Sequence, residues 1–462
     1  MAIETGEKRV YPYGPSLAHV VGYTASVNEK DIEKDDSPLL KLPGFKIGKT
    51  GIERKFDSLM RGEAGNAQVE VNVLGREVRE LDAQASTHGQ RVELTLDSDL
   101  QNFVFERLSK EKSASAVVMD VHTGAVYALA SYPTYDPNIM SNGIPQTLWD
   151  ELMAVEGSPM TNKAVSGQYP PASTFKMITA LAGLEAGLTT PQRRIRCKGH
   201  YEYKTDRFHC WKGWGHGNLN LQQALAQSCD VYFYELSVEV GIEKIAAMAR
   251  KFGLGDLSGI ELIEDRAGLM PDKAWKQGKY GKYWTPGNTI NASIGQGYTL
   301  TTPLQLAVMT ARMVNGGFAV RPHVMMQKGL QFPALDVNPK HIAQVQRGMN
   351  EVVNGEKGTA KGSRIADEGM EMAGKTGTAQ VQRITMAQRK AGIKNEDLEW
   401  KRRHHALFCG YAPVHAPRYA CSVVVEHGVG GSKAAAPIAR DLLYEVQKRG
   451  KGYGLTPTNG KI

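Results

Sequence analysis

Apolar, strand-like segments lie near both ends of this chain, and their separation is the feature that most restricts its fold. Residues 115–121 and 126–131 flank a glycine-containing turn, which is typical of a β-hairpin. Three further strand-like segments come much later, at residues 370–380, 405–411 and 419–426. Helical patterns dominate between the two groups. The sequence therefore predicts an α+β fold, in which an antiparallel sheet is assembled from distant segments and flanked by helices.

The intervening region, residues 140–260, is predicted to be mostly helical. Its central helix follows Tyr169-Pro-Pro-Ala-Ser-Thr-Phe-Lys176, because apolar residues then recur at helical spacing. A loop at residues 293–298 leads into a helix predicted over 303–315, and a last helix is predicted over 435–448.

Three regions are predicted along the chain. Residues 1–88 lack a strong core pattern and indicate a small β-rich module. Residues 89–450 form the main domain, and residues 451–462 are predicted to be a disordered tail. Residues 381–403 are predicted to be a polar, basic loop between two strands.

The formal net charge of +8 favours an anionic neighbour. No basic run with interleaved aromatic residues is present, which argues against a nucleic-acid partner. No apolar run approaches the roughly 20 residues that cross a bilayer. Taken alone, that absence indicates a cytosolic protein. It also fits a chain trimmed of a membrane anchor, and the start near the functional-looking Tyr11-Pro-Tyr-Gly14 favours this second interpretation.

Ser173 is a candidate nucleophile. It precedes an apolar helix, and Lys176 follows one turn later on the same face. A lysine desolvated by packed neighbours has a lowered pKa and can take the proton of a serine. The same pattern recurs at Ser109-Lys-Glu-Lys112, where it is interpreted as the polar end of a solvated helix.

Two further motifs follow in order, Ser228-Cys-Asp230 and Lys375-Thr-Gly-Thr378. Each is common by chance, and Lys49-Thr-Gly51 is another copy of the Lys-Thr-Gly pattern. Their order and their predicted settings, a helix start, a helix-end loop and a strand, are the uncommon feature.

These three motifs resemble those of the serine acyltransferases that act on D-Ala-D-Ala, the penicillin-binding proteins and serine β-lactamases. Within them the chain resembles the penicillin-binding protein 2 family, the class B transpeptidases of bacterial cell elongation. The additional segments that carry this resemblance are Tyr11-Pro-Tyr-Gly14, His19-Val-Val-Gly-Tyr23, Gly48-Lys-Thr-Gly-Ile-Glu53, Trp214-Gly-His-Gly217 and Gly295-Gln-Gly-Tyr298. Relative to that family, we expect the membrane anchor and the pedestal part that precedes Tyr11 to be missing.

The resemblance implies a role for each residue of the first two motifs. Ser173 would attack the D-Ala-D-Ala carbonyl, and Lys176 would accept its proton. Ser228 would relay a proton between the lysines and the leaving amine. Asp230 stands where most of the superfamily has Asn, and its role is open between orienting group and structural ligand.

The third motif is expected to bind the substrate. Lys375, on a predicted edge strand, would attract the terminal carboxylate and keep Lys176 neutral. Thr376 and Thr378 share one strand face and offer hydroxyls to that carboxylate. Gly377 leaves the strand bare for peptide pairing. In the family the oxyanion hole is formed by the backbone N–H groups that correspond to Ser173 and Thr378.

The implied function is a peptidoglycan D,D-transpeptidase that cross-links stem peptides through a serine acyl-enzyme and is inhibited by β-lactams. Transfer to water instead would make it a D,D-carboxypeptidase or a β-lactamase. A third reading is mainly a scaffold for a SEDS-family glycan polymerase and other elongation-complex proteins. The family places such a catalytic domain in the periplasm, held at the inner membrane by the anchor.

Four residues, Cys197, Cys210, His216 and Cys229, form a candidate zinc set of three thiolates and one imidazole. In relatives of penicillin-binding protein 2, these places carry Asp, Asp, His and Cys-type ligands. A metal there would pin the loop that ends in Ser228-Cys-Asp230, a structural role. The alternatives are a disulfide between Cys197 and Cys210, or neither a metal nor a disulfide. Cys409 and Cys421 lie on apolar strands and are predicted to be core thiols.

Overall fold

The computed structural model describes residues 8–74, 76–382 and 394–452 of the chain. Its α-helices are α1 (Ala18–Val21), α2 (Glu29–Ile32), α3 (Gly51–Lys55), α4 (Asp57–Arg61), α5 (Ser98–Leu108), α6 (Pro137–Asn142), α7 (Gln146–Ala154), α8 (Lys163–Ser166), α9 (Lys176–Glu185), α10 (Leu221–Ala226), α11 (Asp230–Val240), α12 (Ile242–Lys251), α13 (Lys273–Tyr280), α14 (Pro286–Ser293), α15 (Pro303–Val314), α16 (Pro339–Asn354) and α17 (Ala435–Gly452). Its β-strands are β1 (Thr24–Ser26), β2 (Lys46–Gly48), β3 (Asn66–Val71), β4 (Glu77–Gln84), β5 (Ala114–Asp120), β6 (Val126–Tyr132), β7 (Ile195–Cys197), β8 (His200–Tyr203), β9 (Asp206–His209), β10 (Gly217–Leu219), β11 (Ala373–Ala379), β12 (His405–Ala412) and β13 (Tyr419–Val425).

The central sheet has the strand order β11-β12-β13-β5-β6, and all of its neighbouring strands are antiparallel. One row across it pairs Lys375 with Cys409, Cys409 with Ser422, Ser422 with Val117, and Val117 with Leu129. The predicted sheet, built from an early hairpin and three late strands, is therefore confirmed. β11 lies at one edge, as predicted for the strand that carries Lys375.

The sheet separates two hydrophobic cores, because alternate residues of a strand face opposite sides. Val117 and Met119 of β5 belong to the larger core, with α9, α11 and α15. Ala116 and Val118 belong to the second core, with α5 and α17. Helix α9 is buried from Lys176 to Leu184, as a helix that is apolar on all sides requires. The fold thereby takes the amine of Lys176 out of water.

The region predicted to be mostly helical also contains strands, which corrects that prediction. Two antiparallel ribbons, β7 with β10 and β8 with β9, lie between α9 and α10. Each of these strands has only three or four residues. Periodicity needs longer segments than these to be recognised, so the sequence pattern did not reveal them.

The N-terminal module contains two β-ribbons, β1 with β2 and β3 with β4, together with α1–α4. It is joined to the rest of the chain by side-chain hydrogen bonds. The backbone N–H of Gly51 donates to Glu264 (3.0 Å), and that of Tyr11 donates to Asn138 (2.9 Å). The division at residue 88 stays a prediction.

The last helix extends beyond its predicted end. α17 continues to Gly452, so the first two residues of the predicted disordered tail are helical. The remaining tail residues, 453–462, lie outside the described residues, as do residues 383–393 of the predicted basic loop. Among the residues that the structure describes, no helix combines the length and apolar composition that crossing a bilayer demands.

Replacement of Gln101 by Leu is expected to destabilise the fold. Its amide nitrogen donates to the carbonyls of Ser16 (2.7 Å) and Leu129 (2.9 Å), and its oxygen accepts from the Leu129 N–H (2.8 Å). Because leucine leaves these buried groups without partners, the free energy of unfolding should fall by about 3 kcal/mol. Urea denaturation measures it. The control Gln277→Leu, at an exposed site, should change that free energy by less than about 0.5 kcal/mol.

Candidate active site

The three sequence motifs meet at the side chain of Ser228. The first motif lies on a 3-10 turn (Ala172–Phe175) and the start of α9, the second between α10 and α11, and the third on β11. The Ser228 hydroxyl lies 3.3 Å from the Nζ atom of Lys176 and 2.9 Å from that of Lys375. Two amines and one hydroxyl therefore share a single buried location.

Unusual backbone occurs at Ser228 and directly before Ser173. Ser228 itself has a positive φ of 51°, and Ala172, directly before Ser173, also has a φ of 51°. Left-handed backbone at a residue other than glycine is strained and is found preferentially at functional sites. The N–H of Ala172 donates to the carbonyl of Gly295 (2.9 Å), and a Cβ on Gly295 would lie only 2.4 Å from the Ala172 oxygen. Close contact with this glycine holds the turn that carries Ser173.

Asp230 forms a buried ion pair with Lys176. One carboxylate oxygen lies 2.7 Å from the Lys176 Nζ, and the other accepts the backbone N–H of Trp211 at 2.9 Å. Lys176 also donates to the carbonyl of Ser228 at 2.9 Å. Burial raises the pKa of Asp230, and the Lys176 ammonium opposes that shift. In this geometry Asp230 orients the lysine and anchors a neighbouring loop at the same time.

Lys375 is the amine whose protonation the site disfavours. Its side chain is fully buried, and its Nζ donates to Ser228 Oγ and to the carbonyl of Thr376 (3.1 Å). Burial, followed by the nearby charge of Lys176, holds the pKa of Lys375 well below its usual range. The carboxylate of Asp230 contacts Lys176 and not Lys375, so the two amines differ in their charged neighbours. That a charged Lys375 keeps Lys176 neutral stays a prediction.

The hydroxyls of the third motif have different surroundings. Thr376 is buried, and its Oγ1 lies 2.7 Å from that of Thr359, whereas Thr378 is exposed. A Cβ on Gly377 would lie 3.1 Å from the Pro171 oxygen and 3.2 Å from Cγ2 of Thr174. The glycine thus allows β11 to approach the nucleophile's turn closely, a reason that the sequence did not reveal.

Residues beyond the predicted set also contact the motifs. Gln296 donates through its side chain to the carbonyl of Thr378 (3.2 Å), and Thr359 contacts Thr376 as described. The indole N–H of Trp211 donates to the Ser228 carbonyl at 3.0 Å. Gln296 lies within a segment that carried the family resemblance, and Trp211 directly follows the candidate ligand Cys210, whereas Thr359 had no sequence signal.

The four candidate metal ligands lie together. The Sγ atoms of Cys197 and Cys210 are each 3.5 Å from the Nδ1 atom of His216, and with Cys229 all four ligand atoms lie within 4.8 Å of one another. In a tetrahedral site with metal–sulfur bonds of ~2.3 Å, ligand atoms are separated by roughly 3.8 Å. The donor set and its spacing therefore fit one zinc ion.

The thiols of this cluster are free, and the Cys197–Cys210 disulfide considered above is not formed. Hydrogen bonds with Cys210 and then Cys229 lower the pKa of Cys197, whereas hydrogen bonds with Cys197 and then Cys210 raise the pKa of Cys229. When thiols lie this close together, ionisation of one disfavours ionisation of the next, because the thiolates repel each other. A bound cation would remove that repulsion. Cys409 and Cys421, predicted to be core thiols, are buried on β12 and β13.

Trp211 connects the cluster to the second motif. It follows Cys210, its ring lies 5.3 Å from that of His216, and its two N–H groups bond Asp230 and Ser228. The cluster and the residues around Lys176 are thus parts of one hydrogen-bonded unit.

Comparisons with known proteins agree with this geometry. The family model for the penicillin-binding protein transpeptidase domain matches residues 114–444, and that for the penicillin-binding protein dimerisation domain matches residues 1–94. The chain is 36% identical to the peptidoglycan D,D-transpeptidase MrdA of Haemophilus influenzae, over 94% of this chain and 69% of that protein.

Several solved structures, one of them of a peptidoglycan synthase complex, are similar to nearly the whole chain. The complex of PBP2 and MreC from Helicobacter pylori gives a TM-score of 0.86 at 31% identity, covering 96% of this chain and 79% of that one. The crystal structure of Pseudomonas aeruginosa PBP2 with WCK 5153 gives a TM-score of 0.80 at 33% identity, covering 95% and 91%.

Replacement of Asp230 by Ala is expected to lower the free energy of unfolding by about 3–5 kcal/mol, because it leaves the Lys176 ammonium buried without a counter-charge. Chemical denaturation measures the loss. The matched control is Glu396→Ala. Glu396 is paired with Lys433 at 3.1 Å, but both side chains are largely exposed, so its removal should change the free energy of unfolding by less than about 0.5 kcal/mol. Equal effects of the two variants would contradict the buried ion pair.

Proposed function

The chain belongs to the penicillin-binding protein transpeptidase family, and we propose that Ser173 is its acylated nucleophile. Its function is that of a peptidoglycan D,D-transpeptidase, a serine acyltransferase of cell-wall synthesis. The observation that carries the assignment of the site is the convergence of Lys176 and Lys375 on the hydroxyl of Ser228, beside the strained turn that holds Ser173.

The reaction exchanges one amide bond for another through an ester. Ser173 Oγ forms a bond to the carbonyl carbon of the penultimate D-Ala, and the bond from that carbon to the terminal D-Ala nitrogen breaks. The serine proton ends on the departing amine. An amine of a neighbouring stem peptide then attacks the ester, and Ser173 regains a proton. The backbone N–H groups of Ser173 and Thr378 are proposed to stabilise the oxyanion.

The two lysines suggest how substrate activates the serine. At rest Asp230 favours charge on Lys176, and burial disfavours charge on Lys375. The terminal carboxylate of a substrate, held at Thr376 and Thr378, would favour a charged Lys375. A proton then passes from Lys176 to Lys375 through the Ser228 hydroxyl. The neutral Lys176 accepts the proton of Ser173.

Finer aspects of the function are also proposals. Residues 1–88 are proposed as a pedestal module and residues 89–450 as the transpeptidase domain. By analogy with the MreC complex and with a peptidoglycan synthase complex among the similar structures, we infer that elongation-complex proteins and a SEDS-family polymerase are partners. The location would be the periplasmic side of the inner membrane. Hydrolysis of the ester by water would give a carboxypeptidase or β-lactamase, and the relatives' names favour transfer to an amine.

Brief exposure to a penicillin is expected to add one penicilloyl group, at Ser173. Intact-mass spectrometry with peptide mapping measures the adduct, and its persistence for minutes or longer separates a transpeptidase from a β-lactamase. Ser173→Ala should abolish it. The matched control is Ser109→Ala, which removes the serine of the other Ser-x-x-Lys pattern and should leave labelling unchanged. An adduct elsewhere would overturn the assignment.

We also propose that Cys197, Cys210, His216 and Cys229 hold one structural zinc ion. What supports this is the fit of the four ligand atoms and the bonds from Trp211 to Asp230 and Ser228. A metal there supplies rigidity to the loop that positions Ser228, and no step of the reaction passes through it.

Protein purified without chelator is expected to contain about one zinc per chain by elemental analysis. Cys229→Ser should lower both the zinc content and the melting temperature, because a thiolate ligand is lost. Cys421→Ser is the control, since that thiol is equally buried but lies outside the cluster. Full stability of zinc-free protein would refute a structural metal.

A further inference from the structure

A long stretch of the chain carries no acidic residue. No Asp or Glu occurs from residue 273 to residue 335, yet α13 and the turn after it contain Lys273, Lys276, Lys279 and Lys282. Within the described part of the chain, none of these four lysines forms an ion pair. This region therefore presents positive charge that the protein itself does not neutralise.

Aromatic side chains accompany these lysines. The ring of Trp275 lies 5.6 Å from that of Tyr280 and 5.2 Å from that of Tyr298, and the two tyrosine rings are 5.6 Å apart. The Nζ of Lys279 lies 5.9 Å from the centre of the Trp275 ring. The three rings pack against one another, and the side chain of Lys279 packs against this cluster.

The outer part of this region is open to solvent. Lys279, Tyr280, Lys282 and Tyr283 are exposed, and the side chain of Tyr283 is 85% accessible. We call these four residues the lysine–aromatic surface. Lys276 differs, because it is buried and its ammonium donates to Asn288. It therefore belongs to the support beneath the surface.

The lysine–aromatic surface is connected to the active site through a short segment. Gly295 bonds the turn that carries Ser173, Gln296 bonds Thr378 of β11, and Tyr298 packs against Trp275 and Tyr280. Three residues of extended chain span at most ~11 Å. The surface thus lies within the reach of a few substrate residues upstream of the scissile bond.

We propose that the lysine–aromatic surface binds a carboxylate of the peptide substrate, two or more residues before the bond that Ser173 cleaves. This proposal rests on the proposed function of Ser173. Charge complementarity selects the occupant, since exposed, unpaired ammonium groups favour an acidic peptide over a neutral glycan. The surface would therefore set substrate preference and take no part in bond breaking.

The test compares two synthetic pentapeptides that end in D-Ala-D-Ala and differ only in Glu or Gln at the second position. Released D-Ala gives kcat/KM for each. At low salt the wild-type protein is expected to favour the Glu peptide about three- to tenfold, and 0.5 M NaCl should reduce that preference, because exposed charges are screened. The double variant Lys279→Gln/Lys282→Gln should lose it.

Two controls make the result specific. Lys110→Gln/Lys340→Gln removes the same charge from exposed sites on α16 and beyond the end of α5, and it should keep the preference. Penicillin acylation of Ser173, which needs no upstream carboxylate, should be unchanged in both double variants and reports correct folding.

The outcomes separate the two proposals. Equal kcat/KM for the two peptides, or a preference that survives in Lys279→Gln/Lys282→Gln, would overturn the carboxylate subsite while leaving Ser173 as nucleophile. Absence of both D-Ala release and a penicilloyl adduct in the wild-type protein would overturn the function on which the subsite rests.

Discussion

The buried contact of Lys176 with Asp230 is the interaction on which the rest of the site depends. An ammonium on a fully buried helix requires a counter-charge, and the carboxylate supplies it at 2.7 Å. The same carboxylate fixes the loop of Trp211, and Trp211 fixes the carbonyl of Ser228. The carboxylate that compensates the buried ammonium of Lys176 thus also positions the loop of Trp211 and the backbone of Ser228. The second amine, Lys375, forms no ion pair within the described part of the chain, and this difference between the two lysines is the basis of the proton transfer proposed above.

This arrangement needs the sheet to be assembled from distant segments. Lys375 lies on the edge strand β11, whereas Lys176 belongs to a helix of the larger core. The two meet because the turn Ala172–Phe175, which leads into that helix, packs against β11. The cysteine cluster also restrains this arrangement, because its ligand Cys229 is the central residue of the second motif, Ser228-Cys-Asp230. Three remote parts of the chain therefore determine the position of one hydroxyl. A change in any of them alters the spacing of the two amines around it.

Much of the fold and the composition of the site were accessible from the sequence. The five strands of the central sheet, α5, α9 and α15 follow from periodicity, and the three motifs are recognised by their order. The two short ribbons were missed because three or four residues carry no readable period. The lowered pKa of Lys375 could not be predicted from the sequence, because it depends on how deeply that side chain is buried and on which amine contacts Asp230. Likewise, the role of Gly377 depends on how closely the Pro171 carbonyl approaches β11, which only tertiary packing reveals.

The position of β11 at the sheet edge has a consequence for the solution behaviour of the protein. An edge strand presents backbone groups to which another copy can add, and such strands promote aggregation unless something covers them. Here the turn Ala172–Phe175 packs against the face of β11 at Gly377, beside Leu407 of the neighbouring strand. The edge groups that could recruit another copy are therefore the same groups that an extended peptide next to the nucleophile would use, so that crowding of the protein and substrate pairing compete for one strand.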